Sequence, residues 1–357
     1  MPHSTVVLIA AFSALMIAVS FGIGVWAKKK ANTAQAYFGG TAMFGPVAVG
    51  LSSMAGIASA FALVGVPGII YTSGNAMTFW MLSGAAFAMS YIILGKKVRA
   101  MAEIAPISSL GDICDVRFNH NRFIKALMSI IICLGCVGYL AAQISAGSAL
   151  IAQLVDIPPI VAGFLIFVAT GTIDPLVSGD QAIYAFSDYL GIWAQVLVYA
   201  AILAAALSSA SMFLTSSSTL ISKDLTSALG IKIAPEKQIN VSRVFMFVLG
   251  AVSIVVSIYS TEMVALLGTF GWGTLVSGTF PVFVLGLLWE RCNEKGVMCG
   301  VAVSLVFNII PFFGFKFPSA LPGYFITSAL AVAVTVVVSI IVPKKELSPQ
   351  LDAVLKL

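Results

Sequence analysis

The sequence predicts an all-α protein that crosses a lipid bilayer about nine times, and three observations predict it. The 357 residues are 60% hydrophobic and only 9% charged, with a mean hydropathy of +1.05. A soluble domain has about a quarter of its residues charged, because water must wet its surface. Apolar runs of spanning length recur along the whole chain, and the basic residues gather in every second connection between them. Such a chain needs lipid around it, so the bilayer is its first partner.

The first run, 5–27, has no Lys or Arg before it in MPHST and is followed by Lys28, Lys29 and Lys30. That is the reverse of a secretion signal, so the run reads as a retained helix with its N-terminus outside. Further runs lie at 44–72, 76–95, 124–155, 192–222, 239–259, 262–289, 296–315 and 322–343. The inside connections then hold Lys28 to Lys30, the group from Lys96 to Lys125, the group from Lys223 to Arg243, Arg291 with Lys295, and the tail. Of the 19 basic residues only Lys316 falls outside, as the positive-inside rule demands. The tail, 344–357, is therefore cytoplasmic.

One apolar stretch, 157–173, does not fit as a crossing. The run before it ends outside and the run from Ile192 begins outside, so both of its ends lie on one face. Making it a crossing would place every later basic connection outside. The stretch is a short, non-spanning element. The chain thus divides into 5–155, a join at 156–191, 192–343 and the tail, within one transmembrane domain over 1–357.

All 14 Asp and Glu residues lie in connections or at run ends. No span carries a charge at its centre, so an ion at membrane depth must be held by neutral oxygens. Cys133 and Cys136 form CLGC among Ile, Leu and Gly, with no histidine near in sequence. They read as small residues packing in a helix rather than as a redox or metal pair. No metal cluster, phosphate loop or charged group at depth is present to run enzyme chemistry. The formal net charge of +5 sits in the inside connections and implies no nucleic-acid partner.

The run 192–222 ends in LSSASMFLTSSSTLISKDL, where eight of the twelve residues from Ser208 to Thr219 carry a hydroxyl. Gly and Pro are absent, so the stretch is a helix and not a linker. Ser208, Ser211, Thr215, Ser218 and Ser222 recur at helical spacing along one face. Two explanations stand together: small hydroxyl residues allow close helix packing, or some of these oxygens coordinate a hard alkali cation. A partner for the second would be a span with a break. Run 44–72 offers Gly50, Gly56, Gly65 and Pro67–Gly68 beside Ser52, Ser53 and Ser59.

These residues resemble the sodium:solute symporters. YFGG at 37–40 and LSSMAGIASAFALVGVPG are similar to the family's opening signature and first core helix. VGYLAAQISAG at 137–147 is similar to its third, AILAAALSSASMFLTSSSTLISKDL at 201–225 to its eighth, and FGWGTLVSGTFPVFVLGLLWER at 270–291 to its tenth. The resemblance implies a leucine-transporter-type core of two inverted repeats with a sodium ion between the first and eighth core helices. Carried across, the carbonyls of Ala55, Ala58 and Ala205 and the hydroxyls of Ser208 and Ser209 face that ion. It implies solute contacts at Phe61, Tyr139 and Gln143, and Ile57 stands where the proline branch has an acid.

The resemblance also accounts for the parity of 157–173. DIPPIVAG resembles the start of the fourth core helix and FVATGTIDP the end of the seventh, so about four central crossings are missing and the core is incomplete. The implied function is sodium-coupled symport of a small organic solute in a plasma membrane of the bacterial inner-membrane type, impaired or altered by that loss. The alternative is a non-transporting remnant or partner subunit that still binds sodium.

Overall fold

The computed structural model describes residues 3–30, 45–73, 82–154, 180, 183–184, 187, 191–260, 264–313, 315, 317, 323–343 and 346–356. The YFGG signature and most of the join at 156–191 lie outside these residues. No strand occurs among the described residues. The helices are α1 (His3–Lys30), α2 (Pro46–Ile57), α3 (Val66–Ser73), α4 (Leu82–Ile104), α5 (Leu110–Arg117) and α6 (Arg122–Leu154), then α7 (Ile192–Thr219), α8 (Pro235–Tyr259), α9 (Val264–Thr279), α10 (Glu294–Ile309), α11 (Gly323–Ile341) and α12 (Pro349–Leu355).

Among the described residues, six helical stretches are long and apolar enough to cross a membrane: Ser4–Trp26, Arg122–Leu150, Ile192–Ala228, Pro235–Tyr259, Leu266–Leu288 and Gly323–Ile341. A seventh follows if Pro46–Ile57 and Phe61–Tyr71, bent by 47°, form one span. Two of the nine expected runs, 76–95 and 296–315, are helical over their described residues, which by themselves do not meet that length and apolarity. Helix α4 carries Lys96, Lys97, Arg99 and Glu103 in its second half. Helix α10 has 16 residues, about 24 Å against a hydrocarbon core of about 30 Å.

Wide π-helical turns interrupt three of the helices, at Phe61–Gly65, Leu220–Leu225 and Phe280–Leu285. At the first, Pro67 has no N–H to give and its ring crowds the carbonyl four residues back, so the Val66 amide bonds the Phe61 carbonyl instead. The hydroxyl-rich run continues through its own wide turn to Ala228, past the expected end at Ser222.

The residues group into two compact units, each drawn from three separate stretches of chain. The first comprises Met1–Trp80, Val137–Ser216 and Met246–Thr269. Its core joins Ala142, Ala146 and Leu150 of α6 to Tyr199, Leu203 and Ala206 of α7, with Ile9, Ala60 and Val64 against them. Alanines at i, i+4 spacing let membrane helices approach closely. Asp180 accepts from the Val264 amide at 2.9 Å, placing a carboxylate at the N-terminus of α9, where the helix dipole favours it.

The second unit comprises Met81–Cys136, Ser217–Phe245 and Phe270–Leu357. Residues 346–356 of the expected tail carry α12, whose Leu351, Val354 and Leu355 are buried against Met101 and Leu287. Cys133 donates to the Ser217 carbonyl at 3.6 Å and Cys136 is buried. Helices α10 and α11 meet through Gly296 and Gly300, a small-xxx-small pair. A Cβ on Gly300 would lie 2.8 Å from the Ala331 carbonyl, and one on Gly296 would lie 2.7 Å from that of Thr335. Beside them Asn308 donates to Ser277 Oγ at 2.9 Å and to the Ser304 carbonyl at 2.7 Å, and Thr274 donates to its Oδ1 at 3.1 Å.

A charge cluster closes one end of this unit. Lys125 lies 2.6 Å from Asp115 and 3.4 Å from the fully buried Asp224, and Lys223 lies 2.6 Å from Asp112. Ser109 caps α5 by accepting from the Asp112 amide while Asp112 accepts from the Ser108 and Ser109 amides, a capping box. Gly111 leaves the space that the Asp224 carboxylate occupies. Burial works to raise the Asp112 carboxyl, but the Lys223 hydrogen bond, the Ser108 amide and the two lysine charges hold it below its ordinary 3.8.

Two predictions follow from this packing. Gly300→Leu costs about 2 kcal/mol by overpacking and lowers the unfolding temperature in detergent, whereas Gly22→Leu, with open space around it, leaves it unchanged. A depressed carboxyl stabilises above its unfolded value of about 3.8 and loses that contribution as pH falls through its folded value. Asp112→Asn therefore unfolds at lower temperature than the parent at pH 7, and the gap between the two melting curves begins to close only as the pH falls below about 4, vanishing below the lower folded value.

Candidate functional site

Helix α2 stops at Ile57, and the chain resumes helical form at Ala60 after a bend of 47°. Ala58 has φ −68° and ψ 100°, an extended geometry, and Ser59 Oγ accepts from the Ala62 amide at 3.4 Å as a weak N-cap. A helix end leaves its last four carbonyls without partners. In lipid these must be met by another element.

Helix α7 meets two of them. Ser208 donates to the Ala55 carbonyl at 2.8 Å, with the Ala205 carbonyl of its own helix 3.1 Å away as the alternative acceptor. Ser209 donates to the Gly56 carbonyl at 3.1 Å, and the Ala58 carbonyl lies 3.5 Å from the same Oγ. All five residues expected around the ion, Ala55, Ala58, Ala205, Ser208 and Ser209, are thus brought to one place. Gly56 is a sixth contributor that sequence reasoning missed. Its missing Cβ also leaves the space that the flexible Met212 side chain fills. Its place in a run of small residues was the available signal.

The oxygens gathered here are all neutral, and the C-terminal end of the α2 dipole adds partial negative charge. Ser209 is fully buried, Ser208 is half-buried, and Ala55 and Ala58 are exposed. Such a set can hold a hard monovalent cation through carbonyl and hydroxyl oxygens. It offers no titratable group for acid–base chemistry. The remaining hydroxyls of the stripe do local work. Ser211 and Thr215 donate to carbonyls four residues back, at 2.7 and 2.8 Å, and Ser218 receives the Ser242 hydroxyl at 3.1 Å.

Tyr139 and Gln143, one turn apart on α6, bond the break directly. Tyr139 donates to Ser59 Oγ at 2.5 Å, and Gln143 Oε1 accepts from the Ala60 amide at 3.0 Å. The Gln143 Nε2 is buried and has no hydrogen-bond partner among the described residues. Phe61 packs edge-on to Tyr139 at 6.0 Å between ring centroids, and Tyr139 lies 4.5 Å from Phe213. Phe61 itself rests on Gly268, where a Cβ would collide with its ring. The three expected solute residues therefore form one buried cluster, which also fixes the geometry of the break.

Comparison with known proteins agrees with this architecture. The profile of the sodium:solute symporter family matches residues 37–184 and 178–304. The chain belongs to the sodium:solute symporter family. The two matched stretches meet at 178–184, within the expected join.

The osmoregulated proline transporter OpuE of Bacillus subtilis is 31% identical over 113 residues, 31% of this chain and 23% of that protein. The sodium/glucose cotransporter of Vibrio parahaemolyticus is 26% identical over 200 residues, 52% of this chain and 33% of that protein. The matched stretches thus span a third or less of these relatives. A Na+-coupled sialic acid symporter, solved in a substrate-bound outward-open state, shares the fold with a TM-score of 0.66 at 17% identity, covering 96% of this chain and 98% of that one.

Gln143→Leu leaves the buried Ala60 amide without an acceptor and costs about 2 kcal/mol. Gln143→Glu retains an acceptor at that position. Thermal unfolding in detergent is expected to rank the parent first, Gln143→Glu second and Gln143→Leu last.

Proposed function

We propose that the chain couples sodium entry to the uptake of a small organic solute across the plasma membrane. Sodium is held by the carbonyls of Ala55, Ala58 and Ala205 and the hydroxyls of Ser208 and Ser209. The observation that carries this reading is the meeting of orphan α2 carbonyls with two α7 hydroxyls at a break in the helix. A hydroxyl can turn its lone pairs toward an ion if its proton finds another acceptor. Ser208 has one at hand in the Ala205 carbonyl, 3.1 Å away. Membership of the family supports sodium as the coupling ion.

For the solute, Phe61, Tyr139 and Gln143 supply an aromatic wall and an amide whose Nε2 has no partner among the described residues. The named relatives act on proline, glucose and sialic acid, which supports a small polar organic molecule. The membrane is of the bacterial inner-membrane type, with the N-terminus outside and the C-terminus cytoplasmic. Transport is impaired or altered relative to other members of the family, because the join at 156–191 stands where the family resemblance places about four crossings. A second reading, a subunit that binds sodium but does not transport, draws on the commitment of Tyr139 and Gln143 to the helix break.

Both readings are tested on the purified chain. Sodium, but not potassium, is expected to raise the unfolding temperature, and Ser209→Ala is expected to weaken sodium binding roughly ten- to a hundred-fold. Absence of any sodium effect overturns both. In proteoliposomes, sodium-dependent uptake of proline, glucose or sialic acid that Ser209→Ala abolishes supports symport. Sodium binding without uptake of any of the three above empty vesicles selects the second reading.

A further inference from the structure

Beside the cap of α10 lies a cavity of about 240 Å³, within the second unit and remote in sequence from the candidate ion site. Its lining includes Arg117, the last residue of α5, which is only 2% exposed. The guanidinium gives Nε to the Gly286 carbonyl and Nη2 to the Cys292 carbonyl at 2.9 Å, and its carbon sits 5.0 Å from the centre of the Phe118 ring. No carboxylate pairs with it among the described residues, and its Nη1 has no acceptor there. Buried charges are ordinarily paired, because an uncompensated one is costly. Burial accordingly pushes the Arg117 guanidinium down from its ordinary value.

Two further positive features converge on the same cavity. Lys295 lines it, is exposed and forms no ion pair among the described residues. The N-terminus of the 16-residue α10 opens there, with Asn293 Oδ1 accepting from the Gly296 amide at 2.8 Å, so the positive end of its dipole faces the space. One acid, Glu294, is also in the wall, and its carboxylate accepts from Asn121 at 3.4 Å. The rest of the wall is mostly apolar, from Phe118, Val342, Pro343 and Leu347, with Asn119 as a polar member.

We propose that this cavity binds a phosphate group, held by Arg117 Nη1, the Lys295 ammonium and the start of α10. The apolar wall suits the glycerol and upper acyl carbons of an anionic phospholipid. The position among the basic connections matches the leaflet in which such headgroups attract Lys and Arg.

The test titrates the purified full chain in detergent with phosphatidylglycerol, phosphatidylcholine and inorganic phosphate, reading bound lipid by native mass spectrometry and stabilisation by thermal shift. Phosphatidylglycerol is expected to be retained over phosphatidylcholine, with Lys295→Ala weakening it about five-fold and the control Lys237→Ala leaving it unchanged. Arg117→Lys, which keeps a charge but loses the fork, is expected to weaken it further while the helical circular dichroism is retained. Stabilisation by inorganic phosphate with the same dependence on Lys295 assigns the site to a free phosphate instead, and the phosphate chemistry stands. Equal retention of the two lipids with no effect of inorganic phosphate overturns the proposal, as does equal sensitivity to Lys237→Ala.

Discussion

The backbone of α2 ends inside an apolar setting, and its unpaired carbonyls dictate what surrounds them. Water would satisfy such groups in a soluble protein, but in lipid only another part of the chain or an ion can. Ser208 and Ser209 do so through hydroxyls at 2.8 and 3.1 Å. At Gly56 the missing Cβ leaves the room that the flexible Met212 side chain takes. The contact also demands a fixed break, which Tyr139 and Gln143 supply from α6. The oxygens that cap the helix are therefore the same ones to which the proposed sodium site is assigned.

Where polarity appears away from that break, it follows depth. Within the spans it is neutral, as in Asn308 with Thr274, Ser277 and Ser304. The buried ion pairs gather near helix ends, where Lys125 and Lys223 meet Asp112, Asp115 and Asp224. Buried ion pairs repay little of their desolvation cost. Their contribution here is geometric, since the cluster fixes α5 against the start of α6 and the wide turn after α7.

Much of this was legible in the sequence, and the reasons are specific. The absence of Gly and Pro from the hydroxyl-rich stretch required a helix, and α7 is one. Neutral spans with charged ends required neutral oxygens, and the break supplies them. That Ala55 and Ala58 would meet Ser208 and Ser209 came from family resemblance, because a contact between residues 153 apart leaves no local trace. For the same reason Lys223 and Asp224 read as markers of a helix end, while their bonds to residues 111 and 115 positions away did not show. Helix α12 was hidden by the lysines around it, although Leu351, Val354 and Leu355 sit at helical spacing. The runs expected at α4 and α10 are helical, but over the described residues alone, 82–104 and 294–313, they do not reach the length and apolarity of the other spans.

The glycine contact between α10 and α11 bears on how the chain enters the membrane. Helix α10 is short for a bilayer and carries Ser304 and Asn308, so it is a poor candidate for insertion by itself. Helix α11, with a mean hydropathy of 2.3, is a strong one. With Gly296 and Gly300 seated against Thr335 and Ala331, no acyl chain fits between the two. The weaker helix exchanges part of its lipid-facing surface for protein. The pair is therefore suited to partition as a hairpin, with the second helix recruiting the first during biogenesis.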